Sequence, residues 1–195
     1  PCVFVDGQPH TGLAFWHAPK RQGIPEWALF ARCGVHLFQL GVPCWPGSQD
    51  ADLAEQCDAV LAPTLEADPE AKIWLRIAVR PPNWWTDQHP DHVQVHYDEN
   101  NGDEFRTFAA YGSRPWRQET AARLQQLVND MEQRWPDRIW VYQICDGDCG
   151  EWAYSWKPVV SGYAPAQIEA WRGWLRKRYD DDINAIVIGT WPYMH

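Results

Sequence analysis

Ile139 to Trp152, IWVYQICDGDCGEW, is the stretch from which the rest of the chain is read. Its apolar and aromatic first half reads as a buried β-strand, and the strand runs straight into a loop carrying Asp146, Asp148 and Glu151 between aromatic residues. A strand that delivers acids and aromatics at its C-terminal end is where α/β enzymes keep their chemistry. Glu151 is the leading catalytic candidate, because Gly150 gives it a tight backbone and Trp152 an apolar wall.

Working outward, the same pattern recurs. Gly12 to Trp16, GLAFW, reads as a first sheet strand, preceded by a short flap strand in CVFV and the turn residues DGQP. A helix opens at Ile24 and Pro25, with Trp27, Phe30 and Ala31 on one face and Gly34 as its stop. Val35 to Val42 is a strand apolar on both faces, as parallel strands are. Asp50 stands as N-cap or first-turn acid for a helix over Ala51 to Leu65. Lys72 to Val79 is a third strand, and residues 81 to 112 read as a long functional loop rich in Pro, Asn, Asp, His and aromatics. Pro115 opens a helix with Leu124, Leu127, Val128, Met131 and Trp135 at spacings of three and four, closed by Pro136. After the opening stretch, Pro165 starts another helix with Ile168, Trp171, Leu175 and Tyr179 inward.

The order is strand then helix, repeated through residues 1–195. Such a series predicts parallel strands with right-handed crossovers. A doubly wound sheet wants a Gly-rich phosphate loop after its first strand, and GLAFWHAP has none. The expected fold is therefore α/β, with parallel (β/α) units forming the N-terminal half, about four units, of a TIM-type (β/α)8 barrel, since whole barrels take roughly 250 residues. Its outer strands would expose unpaired backbone, so the remainder of the barrel is expected from missing sequence or another chain.

Composition narrows the function. Lys and Arg number 17 against 26 Asp and Glu, and the formal charge of -9 repels phosphate backbones, which excludes nucleic acid as a partner. No apolar run approaches the roughly 20 residues that span a bilayer and PCVFVDG lacks a signal-peptide layout, so a soluble chain is expected, secreted or cytoplasmic, with no membrane partner. Six cysteines are scattered through core-like and loop positions, and free buried thiols are the default. Cys145 and Cys149 flank DGD as C-x3-C, which leaves a small disulfide or a metal contact open, although no second such pair accompanies them. The 14 Trp residues are the outlier, and Trp45, Trp84, Trp85, Trp152 and Trp156 fall in expected loops. A loop Trp is costly unless a flat, weakly polar ligand such as a sugar ring stacks on it, or it folds back as a local plug.

In VFVDGQPHTGLAFW, PNWWTDQHPD, the GEW around Glu151, and AWRGWLRKRYDDDINAI with a following Trp191, the sequence resembles the clan of (β/α)8 glycoside hydrolases, particularly β-galactosidase-like families. The resemblance implies a glycosidase acting on a carbohydrate substrate without cofactor, with the acid/base carboxylate after strand four and the nucleophile after strand seven. In that retaining mechanism one carboxyl donates a proton to the leaving oxygen while the other attacks from about 5 to 5.5 Å away. Glu151 takes the acid/base role, and burial beside Trp152 and neighbouring acids would favour its protonated form. The clan's acid/base directly follows an Asn, whereas Asp146 stands at that place here and Glu151 comes later, which leaves Asp146 and Asp148 as alternatives. No strand seven lies within residues 1–195, so the nucleophile is absent from them.

If the strands are parallel, Trp16 and His17 after strand one, Trp45 after strand two, and Arg80, Trp84 and Trp85 after strand three share one end with Asp146, Asp148, Glu151 and Trp152. All are candidate sugar contacts, as is His89. Asp146 and Asp148 otherwise serve as turn formers in DGD, and Glu151 as a helix cap or partner of Lys157. Arg76 sits inside an apolar strand, where a charge persists only if paired. His89, His92 and His96 suggest zinc only if helical, and Pro90, Val93 and Val95 oppose a helix. No metal is assigned. The competing functions are a noncatalytic carbohydrate-binding or scaffold half-barrel and, on loose His and Asp clusters alone, a metal-dependent hydrolase.

Overall fold

The apolar runs pair side by side in sequence order. The computed structural model describes residues 3–5, 7–16, 26–49, 51–98, 103–147, 152 and 160–182. Within them, β1 (Val3–Val5) and β2 (Gln8–His10) make an antiparallel hairpin. The main sheet joins β3 (Phe15–Trp16), β4 (Leu37–Pro43), β5 (Lys72–Ala78) and β8 (Ile139–Cys145) in that order, with every neighbour parallel. A doubly wound sheet would reverse direction partway along its order; consecutive parallel neighbours instead make the wall of a barrel.

Burial alternates along these strands, and the alternation assigns the two faces. Phe38, Leu40 and Val42 of β4 and Ile73, Leu75 and Ile77 of β5 pack in one core with Cys57 and Leu61 of α2 (Leu53–Ala67) and Leu127 and Met131 of α4 (Arg114–Arg134). Trp27 and Ala31 of α1 (Glu26–Arg32) close its edge. Each fully buried aliphatic side chain contributes roughly 1.5–3 kcal/mol to this layer. Opposite it lie Gln39, Gly41, Trp74 and Arg76, in register with Val141 and Gln143 of β8. There the Gln39 amide donates to Gln143 Oε1 at 3.2 Å across β5, and the Arg76 guanidinium lies 5.9 Å above the Trp16 ring. Arg76 therefore meets an aromatic face within the sheet. One register irregularity, at Ile73 and Trp74, carries the β5–β8 pairing past Trp140.

The stretch expected as a long loop is structured. It holds α3 (Asn83–Gln88), a 3-10 turn at Pro90–His92, and the antiparallel hairpin of β6 (Val93–Asp98) and β7 (Asp103–Ala109). The segment after β8 adds β9 (Val160–Ser161) antiparallel to β6, so the excursions after β5 and β8 are stitched into one three-stranded sheet. His96 is fully buried there, with Nδ1 2.7 Å from Ser161 Oγ. The turn before α4 then meets α5 (Pro165–Tyr179): Gly112 N–H donates to Gln167 Oε1 at 2.6 Å, and a Cβ on Gly112 would sit 2.8 Å from the Gln167 Cα. Only glycine allows that approach.

Two other local expectations change. Asp52, not Asp50, caps α2, accepting from Ala54 N at 2.9 Å and Glu55 N at 3.2 Å; Asp50 lies outside the described residues. Trp171, expected inward on α5, is 55% exposed and stacks on Trp174 instead.

Candidate active site

Parallel strands bring their C-terminal ends to one rim, and the register sets the rim's level: Pro43 of β4 pairs with Ala78 of β5, which pairs with Cys145 of β8. What leaves this rim is Cys44 and Trp45 from β4, Val79 and Arg80 from β5, and Asp146 and Gly147 from β8.

The β8 exit is a closed loop. Trp152 N–H donates to Asp146 O at 2.8 Å, and the Trp152 indole N–H donates to Ile144 O at 3.0 Å. Gly147 turns the chain at φ 86°, and Trp152 itself holds φ 60°. A left-handed backbone on a bulky side chain costs of order 1–3 kcal/mol and persists only where surrounding contacts impose it. Those two hydrogen bonds impose it here. The result is a Trp ring fixed by its own indole yet 46% exposed, at the end of an aromatic ladder: Tyr111 lies 5.6 Å from it, and Phe108 stacks on Tyr111 at 5.9 Å. Phe108 and Tyr111 belong to the hairpin and the turn that follows it, inside the stretch expected as a long functional loop.

Asp146 sits at the base of that loop with its side chain fully buried. Burial pushes its carboxyl up from the ordinary range, while the Gly147 N–H and the Arg80 guanidinium pull it down. Arg80 Nε is 3.9 Å from Asp146 Oδ1, beyond hydrogen-bond reach, and burial outweighs both. Arg80 also donates to Gly147 O and lies 5.1 Å above the Phe108 ring. Beside them the buried Cys145 thiol is raised by desolvation, against a hydrogen bond from Arg76.

The tryptophans divide into two groups. Trp45 and Trp85 are 2% and 1% exposed, so the sugar contacts expected of them give way to a plug that seals the rim onto α4. Arg123 lies 4.4 Å over the Trp45 ring and 5.9 Å over Trp84, the Trp85 indole donates to Glu119 Oε1 at 3.2 Å, and the Trp116 indole donates to Val79 O at 3.2 Å. Arg123 and Glu119 lie one turn apart on α4, and nothing in sequence order links them to loops so distant. His89 joins the plug, stacking on Trp85 at 4.2 Å with Nδ1 2.9 Å from Trp85 O. Trp84 is half-buried and borders an open groove with Gly47, Gln49, Asn83 and Gln88. Trp16 ends β3 on the inner face at 70% exposure. Trp16, Trp84 and Trp152 thus keep accessible ring surface.

Glu151, Asp148 and His17 lie outside the described residues. Among those described, no three His, Cys, Asp or Glu side chains are grouped to hold a metal ion, and His92 and His96 turn to separate partners, Ser113 and Ser161. Among the same residues no helix is long and apolar enough to cross a membrane.

Comparison with known proteins agrees with this geometry. No curated protein sequence matches the chain. A solved β-galactosidase from Bacillus circulans sp. alkalophilus superposes with a TM-score of 0.52 at 17% identity, a likeness of fold. The match covers 80% of this chain and 22% of that one, so the chain spans about a fifth of that protein's length. The profile of glycoside hydrolase family 42, described as β-galactosidase, matches residues 54–189, which run from α2 through β8 to beyond α5. With most of its length inside that profile, the chain belongs to the glycoside hydrolase family 42, the β-galactosidase family.

Proposed function

We propose that residues 1–195 supply the acid/base half of a retaining glycosidase site that acts on β-galactosides. Glu151 is the proton donor, and the nucleophile comes from a seventh strand beyond these four β/α units. The observation that carries the reading is the closed β8 exit loop, whose base, from Asp146 O to Trp152 N–H, sits on the strand-exit rim beside a fixed, half-exposed tryptophan. Glu151 immediately precedes that tryptophan. Trp152 serves as a stacking platform for a sugar ring, with Trp16 and Trp84 as further aromatic contacts. Asp146, buried and raised, acts at the loop's base, and Asp148 and His17 are left as polar contacts to the sugar.

In retaining hydrolysis the donor carboxyl must be protonated when the glycosidic oxygen leaves, and it then takes a proton from water in the second step. Replacing Glu151→Gln in the protein that carries this chain tests the role. Turnover of a galactoside with a poor leaving group should fall by roughly 10²–10⁴-fold, the usual contribution of a general acid, with an unchanged melting temperature. Undiminished turnover would take the role from Glu151. The second reading, a noncatalytic carbohydrate-binding half-barrel, is favoured by the exposed Trp16 and Trp152, which suit binding without chemistry equally well. It predicts galactoside binding with no turnover in the unaltered protein.

A further inference from the structure

We propose that the open groove at Trp84 binds a further sugar unit of the substrate, so that the protein grips galacto-oligosaccharides and not a single galactose alone. The proposal rests on the glycosidase reading given above and adds the length of chain that the site holds.

The groove lies between the segment that leaves β4 and the helix α3 that follows β5, and both strands end on the rim they share with β8. It offers about 800 Å³, within the range of small-molecule sites. Trp84 supplies its aromatic surface. The indole N–H donates to Pro46 O at 3.3 Å, the Trp45 ring meets it edge to face at 5.9 Å, and the Arg123 guanidinium lies 5.9 Å over it. These contacts hold the ring before any ligand arrives, and a ring already fixed loses little freedom on binding. Trp45 and Trp85 behind it are buried, so of the three only Trp84 keeps accessible surface.

Around the ring stand the amides of Gln49, Asn83 and Gln88 and the hydroxyl of Ser48, all four exposed. Among the described residues no hydrogen bond engages any of these four side chains. Nor does any described charged side chain line the groove, although 22% of the chain is charged. An amide offers donor and acceptor from one flat group, which suits neighbouring hydroxyls of a pyranose, and the indole face takes the C–H side of the ring. Anions and cations find no countercharge there. The combination selects an uncharged, hydroxyl-rich ligand. Gly47 gives a way to close the groove without touching the tryptophans: a Cβ there would meet nothing within 4 Å and its backbone lies outside the left-handed region, so a side chain enters open space without strain.

The test measures kcat/KM of the intact protein on β-linked galactotriose and on a nitrophenyl galactoside, which carries one sugar. Gly47→Leu fills the groove, and the double variant Asn83→Ala with Gln88→Ala strips its amides. Each should lower the ratio of the two values, galactotriose over nitrophenyl galactoside, by roughly tenfold, the scale of a stacked ring or a pair of hydrogen bonds. Gly47→Ala, too small to fill the space, should keep the ratio. If Gly47→Leu does not fold, the double variant carries the same readout. A ratio unchanged in either folded variant, whether through no loss or through equal losses on both substrates, would overturn the groove as a sugar site. An unaltered protein that hydrolyses neither substrate ends the glycosidase reading instead, and calorimetric titration with galactotriose then decides the groove. Binding weakened roughly tenfold by Gly47→Leu upholds it; binding that is absent, or equal in the two proteins, overturns it.

Discussion

The amide of Trp152 donates to the carbonyl of Asp146 across 2.8 Å, so the loop that leaves β8 returns to the strand end it came from. The same bond ties the residue that carries a half-exposed indole to the residue that carries a buried, raised carboxyl.

Trp152 and Trp45 should therefore behave differently when truncated. Trp152→Ala removes an exposed platform and should raise KM for a galactoside by roughly three- to tenfold, the worth of an aromatic contact of about 0.5–1.5 kcal/mol, with little change in stability. Trp45→Ala empties a buried plug against Arg123 and should cost about 3–5 kcal/mol of stability, leaving KM of the folded protein unchanged. Denaturation midpoints and steady-state kinetics on both variants separate the roles, and the reverse pattern would place the sugar on Trp45.

Asp146 gives stability a pH dependence of definite sign. Its carboxyl is held above the ordinary range by burial, so the folded state binds this proton more tightly than the unfolded chain does. That contribution is complete below the unfolded pKa and is lost as pH rises through the folded one. Asp146→Asn keeps an uncharged side chain at every pH, so the variant should gain on the wild type as pH rises through the raised value. Melting temperatures of the two proteins across the acid range check this; a constant difference would mean that the buried carboxyl is not raised.

Thiol reactivity reads the core directly. Burial pushes Cys44 and Cys57 each up to about 12, whereas Cys33 is exposed. At pH 8 an alkylating reagent mapped by mass spectrometry should modify Cys33 within minutes and leave Cys44 and Cys57 unmodified until denaturant is added. Labelling of Cys57 in the native protein would show that α2 does not stay docked on the sheet.

The strands were legible because a parallel strand covered by helices must be apolar along its whole length, and VHLFQLGV and KIWLRIAV advertise that. The hairpin after β5 was not: its VQVHY alternation and Asn101-Gly102 dipeptide were lost among Pro, His and Asp, although Asn-Gly between alternating runs is a strong short-range hairpin signal. Asp52 was also readable, since Glu55 follows it at capping-box spacing. The plug around Trp45 and Trp85 was not, because its other half, Glu119 and Arg123, arrives on a helix far along the chain. Burial of a loop tryptophan is a tertiary fact. Likewise Trp171 followed the helical period inward, but α5 packs mainly on the turn at Pro90–His92 and leaves that ring to Trp174.

Where a sugar sits is the most direct measurement. At the other end of the same strands Phe4, His10, Lys72, Trp74, Glu132 and Trp140 line a cavity that also offers aromatic faces and charge. A crystal structure of the intact protein with bound galactose should show the ring stacked on Trp152 at the strand-exit rim, with Glu151 in hydrogen-bond reach of the anomeric oxygen. Galactose seated instead between Phe4 and Trp140, with the rim empty, would contradict the assignment of the chemistry to the β8 exit.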